Sequence, residues 1–223
     1  APSIKIAKTQ SLNPKIIFYD RESEIREEIG AKIADKNGLT IIKPYDAMET
    51  IYGQGTAALE AIKQTPSSFD IALICAGGGG LTAGCSIIFK HHNPDIQIFT
   101  TEPEEWNDQE RSYASGTIQT APASASGLCD GLLTPEPGGI PFSINLALGI
   151  QGLSCEEQYI FDAMQLAKEV FAVELEPSGA IALANLIKHK DKFQEKNVFL
   201  TFSGGNVDPE VFNECLAKAK LGL

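Results

Sequence analysis

The sequence predicts an α/β fold, a parallel sheet with helices on both faces. Three observations carry this reading. Asp70–Ala76 (DIALICA) is a continuous apolar run, the pattern of a strand buried on both faces. Amphipathic segments separate the strand patterns, as in Arg21–Asp35, where Ile25, Ile29 and Ile33 recur at a spacing of four. Glycine clusters at Gly77–Gly80 and Gly204–Gly205 follow directly on strand patterns, where ligands bind in open α/β sheets.

Taken in order, Lys15–Tyr19 (KIIFY) reads as a short strand, Arg21–Asp35 as a helix and Leu39–Ile42 as a second strand. Thr56–Lys63 reads as a helix opening after Gly53-Gln54-Gly55, and Asp70–Ala76 as the buried central strand. A helix is expected from the glycines to about His91, then a strand at Ile96–Thr100. Ser154–Glu157 has the form of a capping box before an amphipathic helix to about Val170. Pro177–Lys188 reads as a helix, Asn197–Phe202 as a strand ending at Ser203-Gly204-Gly205-Asn206, and Asp208 as the cap of a last helix. Thr117–Gly139, rich in Gly, Pro, Ser and Ala, is long for a loop in a compact domain and is expected to line a site.

The bulk properties exclude several functions. The chain has 223 residues, 43% hydrophobic and 21% charged, which suits a globular protein with a substantial core. Its formal net charge of −11 disfavours nucleic acid and anionic membrane surfaces, both polyanions. No apolar run reaches membrane-spanning length. The five cysteines form no C-x-x-C pair and are odd in number. They read as reduced thiols in a cytoplasmic protein, without zinc or a disulfide framework.

The tetraglycine run Gly77-Gly78-Gly79-Gly80-Leu81 is the strongest local signal. Four glycines let backbone N–H groups converge on one point, and the following helix presents its positive end there. A phosphate suits such a cup. Two other readings stay open at this stage. The cluster fits a plain strand-to-helix turn, and Gly78-x-Gly80-x-x-Ala83 with Glu102 ending the next strand also fits a relaxed dinucleotide fingerprint.

Further motifs add to the glycine run. Pro44-Tyr45-Asp46 precedes Gly53-Gln54-Gly55-Thr56 and Glu60, Glu102-Pro103 follows the run, and Glu176-Pro177-Ser178-Gly179-Ala180 precedes Ser203-Gly204-Gly205-Asn206. In this order and spacing they resemble the serine/threonine dehydratase and serine racemase family of pyridoxal-5'-phosphate (PLP) enzymes, over nearly the whole chain. The resemblance implies a fold-type II PLP enzyme, tryptophan-synthase-β-like. Residues 1–43 would be the remainder of a small domain and residues 44–223 the large cofactor-binding domain. It implies PLP as cofactor, held by Gly77, Gly78, Gly79, Gly80 and Leu81 at the phosphate, with Asp130, Gly131, Glu176, Ser203, Gly204 and Asn206 around the rest. Ser203 would set its hydroxyl against the pyridine nitrogen. The implied reaction is β-elimination from L-threonine or L-serine to a keto acid and ammonia. Serine racemase and hydroxyaspartate dehydratase are near alternatives, and a non-catalytic phosphate-binding remnant a more distant one. The resemblance also implies a small-molecule amino acid substrate, a homodimer, and a Mg²⁺ or Ca²⁺ site from Glu102, Asp108 and the Trp106 carbonyl.

One family segment has no counterpart here. The Schiff-base lysine of such enzymes lies in an "S-x-K-x-R-G" segment, and no lysine of this sequence has that context. The chain is therefore expected to begin inside the small domain, and the 223 residues alone are expected to be inactive.

Overall fold

The computed structural model describes residues 2–20, 23–65, 67–122 and 127–221. Helices α1 (Ser3–Gln10), α2 (Arg26–Asn37) and α3 (Met48–Gln64) come first, followed by β1 (Ile71–Cys75), α4 (Gly80–His92) and β2 (Gln97–Pro103). Then come α5 (Asp108–Ser115), α6 (Gly139–Ala147), β3 (Gln151–Cys155), α7 (Glu157–Phe171), α8 (Pro177–Lys188), β4 (Val198–Leu200) and α9 (Pro209–Lys218). Short 3₁₀ turns occupy Glu104–Trp106, Asp130–Leu132 and Lys190–Phe193.

The strands pair in parallel in the order β3-β2-β1-β4, with Ile71 opposite Gln97 on one side and Val198 on the other. Successive side chains of β1 face opposite ways. Ile71 and Leu73 pack with Phe99 and with Ala182 of α8. Ala72 and Ile74 pack with Ala58 of α3 and with Cys85 and Phe89 of α4. Helices therefore cover both faces, as the sequence predicts, and this explains why the strand reads as an unbroken apolar run. Helix α8 is buried from Pro177 to Asn185, with proline in its first turn, where the missing N–H costs no hydrogen bond. Helices α3 and α4 cross where Gly84 meets the Ile51 carbonyl and Gly55 meets Gly84, so Gly55 lies inside a helix rather than before one.

Several expectations change. Lys15–Tyr19 and Leu39–Ile42 form no ladder among the described residues. Phe18 and Ile42 are 70% and 86% exposed, and β-propensity alone does not make a strand without a paired neighbour. The first amphipathic helix starts at Arg26; Arg21 and Glu22 lie outside the described residues. Ser154 is not a cap. It belongs to β3, and its hydroxyl donates to Glu110 Oε2 at 2.6 Å. The Asp208 carboxylate makes no cap bond to α9 and instead accepts the N–H groups of Ser3 and Ile4, capping α1. Among the described residues no helix is long and apolar enough to cross a membrane.

Candidate functional site

Beyond the carboxyl ends of β1 and β4 lies a cavity of about 750 Å³. Gly77–Leu81 form one wall, Gly131–Glu136 another, and Tyr45, Cys75, Glu176, Ser178 and Ser203 join them. The expectation that the long Gly/Pro-rich loop lines a site therefore holds for Gly131–Glu136; residues 123–126 of that loop lie outside the described residues.

The glycine wall is oriented by its carbonyls. The Gly77 carbonyl accepts from Gln109 Nε2 at 2.5 Å, the Gly78 carbonyl from the Gly138 N–H at 3.0 Å and the Gly79 carbonyl from the Ala83 N–H at 2.9 Å. None of these donors lines the cavity. In a trans-planar peptide the next N–H points opposite to the carbonyl. The N–H groups of Gly78, Gly79 and Gly80 are thus turned away from the donors behind the loop. Gly79 has φ +89°, a backbone state that residues with a Cβ rarely adopt, and it caps α4, whose positive end adds to the cup.

The opposite wall is tied together by carboxylates. Ser203 Oγ accepts the Cys75 S–H at 3.0 Å, and burial pushes the Cys75 thiol pKa up, keeping it protonated as a donor. Glu176 accepts the Asn206 N–H at 3.0 Å, while its own N–H donates to the Gly204 carbonyl at 3.0 Å. Lys5 of α1 bridges Asp130 at 2.9 Å and Glu176 at 3.1 Å. Burial opposes the Lys5 charge, but the hydrogen bonds it donates to the two carboxylates outweigh this and raise its pKa. Ser178 Oγ accepts the Gly131 N–H at 3.0 Å, fixing the start of the third wall.

Behind the glycine loop, Glu102 and Asp108 are 1% and 2% exposed. Glu102 accepts the N–H groups of Gln109 and Glu110, both at 2.8 Å, so it caps α5. Burial pushes Glu102 well up, and the neighbouring Asp108 charge adds to this. Burial also pushes Asp108 up to about 7. Asp108 Oδ2 has no hydrogen-bond partner among the described residues. The dinucleotide reading fails here, because a buried Glu102 engaged with α5 is not presented to a ribose.

A sequence profile described as "Pyridoxal-phosphate dependent enzyme" matches residues 1–204. The chain belongs to the pyridoxal-phosphate dependent enzyme family. It is 32% identical over 218 residues to a serine racemase of Schizosaccharomyces pombe, covering 98% of this chain and 67% of that one. An L-threo-3-hydroxyaspartate ammonia-lyase of Pseudomonas sp is also 32% identical, over 216 residues, covering 97% of this chain and 67% of the relative. The structure of maize serine racemase superposes with a TM-score of 0.87 at 31% identity, covering 98% of this chain and 67% of that chain. The chain thus spans about two thirds of the length of the curated relatives it matches. Its fold is the fold-type II architecture of these PLP enzymes.

Against that cofactor, the cup and Ser203 fit: the glycine backbone and a hydroxyl whose oxygen accepts from Cys75 line the same cavity. Of the expected site residues, the structure brings Gly77–Leu81, Gly131, Glu176 and Ser203 to the cavity. Asp130, Gly204 and Asn206 do not reach its lining. Asp130 is drawn to Lys5, Gly204 packs on Glu176 and Gly179, and the Asn206 side chain accepts from Lys8. Sequence reasoning missed Cys75, Lys5 and Gln109, which carry no motif of their own. Tyr45 is legible only as part of a motif, yet its ring packs on Gly78 and its backbone on Gly80.

Proposed function

We propose that this chain supplies the phosphate and ring walls of a PLP enzyme that eliminates water from L-threonine or L-serine, the product then taking up water to release a keto acid and ammonia. The observation that carries the reading is that the tetraglycine loop and Ser203 line one cavity. The N–H groups of Gly78–Leu81 hold the phosphate, with the positive end of α4 behind them. When bound, the cofactor supplies an electron sink for bond cleavage at the amino acid's α-carbon.

Ser203 tunes that sink. Its oxygen accepts from Cys75, so its own proton is left to donate to the ring nitrogen. A hydroxyl donates to a neutral nitrogen and does not hold it protonated, as a carboxylate would. The weaker sink favours prompt loss of a β-hydroxyl over a long-lived carbanion. Glu176 sits on the same wall with its charge balanced by Lys5. No residue of this chain is assigned the role of Schiff-base lysine, so binding rather than turnover is expected of these 223 residues.

Serine racemisation and hydroxyaspartate elimination are the second reading, favoured by relatives with those names at 32% identity. Glu102, Asp108 and the Trp106 carbonyl are proposed to hold Mg²⁺ or Ca²⁺. Two buried carboxylates, one with an unpartnered oxygen, supply the hard donors such an ion takes.

The test is equilibrium dialysis of the chain against PLP and against pyridoxal, which lacks the phosphate. PLP binding at least tenfold tighter than pyridoxal supports the cup. Equal affinity, or PLP binding that inorganic phosphate does not displace, would overturn it.

A further inference from the structure

Behind the phosphate cup runs a buried chain of polar side chains that the proposed function does not use. Gln109 and Asn145 are both 0% exposed. Asn145 Nδ2 donates to the Tyr113 hydroxyl at 3.0 Å, and Tyr113 Oη lies 2.5 Å from Gln109 Oε1. Gln109 Nε2 lies 2.5 Å from the Gly77 carbonyl, and Asn145 Nδ2 also makes a longer 3.5 Å contact with the Gly79 carbonyl. The Gln109 amide lies against Gly79 as well, where an added Cβ would come within 3.2 Å of Nε2.

The direction of every bond in this chain is determined. A carbonyl only accepts, so Gln109 must turn Nε2 toward Gly77. Oε1 then faces Tyr113 and can only accept, so the phenol donates. Its oxygen in turn accepts from Asn145. Burial pushes the Tyr113 pKa up, which keeps the phenol in its donating form. The Tyr113 ring is stacked on Phe142 at 5.9 Å and 4°, and the Gln109 N–H is held by Glu102 at 2.8 Å. Gln109 and Tyr113 are thus each held from two sides, and aligned donors polarise one another in a dry interior.

We propose that Gln109, Tyr113 and Asn145 are positioning residues that hold the Gly77 and Gly79 carbonyls behind the loop and so preset the Gly78 and Gly80 N–H groups for a phosphate monoester. The proposal rests on the reading of the tetraglycine loop as a phosphate cup. The geometric step is peptide planarity: a carbonyl pinned on one side fixes the adjoining N–H on the other. Without the pin, four consecutive glycines have wide conformational freedom, and a ligand would have to order them on binding. The arrangement also places Gln109 between the Glu102 carboxylate and the cup, joined to the first by its backbone and to the second by its side chain.

The experiment compares PLP and pyridoxal binding to the full 223-residue chain and to the Tyr113→Phe, Gln109→Glu and Gln109→Leu variants, with thermal midpoints recorded alongside. Tyr113→Phe keeps the ring and its stacking and removes the hydroxyl with its two bonds, the one donated to Gln109 and the one accepted from Asn145. Gln109→Glu keeps an acceptor for Tyr113 but cannot donate to the Gly77 carbonyl in its ionised form. We expect wild type to prefer PLP, and all three variants to lose about three- to tenfold in PLP affinity with pyridoxal affinity unchanged. Faster amide exchange at Gly78 and Gly80 in Tyr113→Phe is the second readout and does not depend on any ligand. If wild type prefers PLP and the variants match it, the relay positions nothing and the proposal fails. Equal losses for PLP and pyridoxal would mark a merely structural network and would also overturn it. If wild type itself shows no preference for PLP, the cup reading falls first and this inference with it.

Discussion

Gly179→Ala sets two opposed effects against each other. Gly179 lies in the first turn of α8, and alanine in a helix is ordinarily favoured over glycine by about 1 kcal/mol. The added Cβ, however, would lie 2.2 Å from the Gly204 carbonyl oxygen and 2.8 Å from its nitrogen. Both are backbone atoms, so no rotamer change relieves the contact. The loop must retreat by roughly 1 Å to reach van der Waals distance. That retreat pulls on the bond from the Glu176 N–H to the Gly204 carbonyl at 3.0 Å. Overpacking of this kind costs about 1–3 kcal/mol, so the clash outweighs the helix gain. Ser203 precedes the displaced residue, and a shift of this size takes its hydroxyl out of hydrogen-bond range of a ring held by the cup. The expected outcome is a lower urea midpoint by circular dichroism and PLP affinity reduced about tenfold, or about 1.4 kcal/mol. A variant that is more stable by about 1 kcal/mol and binds PLP as wild type does would refute the close packing of α8 on the Ser203 loop.

Other perturbations have equally definite outcomes. Lys5→Met leaves Glu176 and Asp130 facing each other without a cation and should cost about 2–3 kcal/mol in urea unfolding. Because the Lys5 pKa is raised above 10.5, that difference from wild type should hold at neutral pH and shrink as pH climbs through the raised value; an unchanged difference at pH 12 would contradict it. Burial pushes Cys85 and Cys155 up to about 12, so their alkylation by iodoacetamide at pH 8 should be about a thousandfold slower in the native than in the unfolded chain. Rapid native labelling of both would show that the core is open. Millimolar Mg²⁺ should stabilise wild type and not Asp108→Asn, by about 2.7 kcal/mol at a hundredfold excess over Kd, read as a raised thermal midpoint; identical responses would rule out the Glu102–Asp108 site.

The parts of the fold legible in the sequence are those governed by local pattern. DIALICA reads as β1 because a strand covered on both faces has no polar positions, and Pro177 opens α8 because its ring fits a first turn. Pairing is not local, so KIIFY and LTII read as strands from propensity alone and prove to have no ladder. Ser154 fits a capping-box spacing, yet β2 lies alongside in register with it and draws it into the sheet. The cavity followed the same division. The glycine run and Ser203 were visible because backbone cups and strand-end hydroxyls leave sequence motifs. Gln109, Tyr113 and Lys5 were invisible because their roles depend on which distant carbonyl or carboxylate the fold brings beside them.

The central claim is that Gly78–Leu81 and Ser203 form one phosphate-and-ring site, and amide chemical-shift mapping of the isotopically labelled chain tests it directly. On titration with PLP, the Gly78, Gly79, Gly80 and Leu81 amides should move together and saturate with one dissociation constant, with Ser203 following at the same midpoint. Inorganic phosphate should reproduce the first set of shifts and leave Ser203 in place. Shifts confined to the lysine-bearing surface at 188–196, or a cup and a Ser203 that respond at different midpoints, would contradict the account.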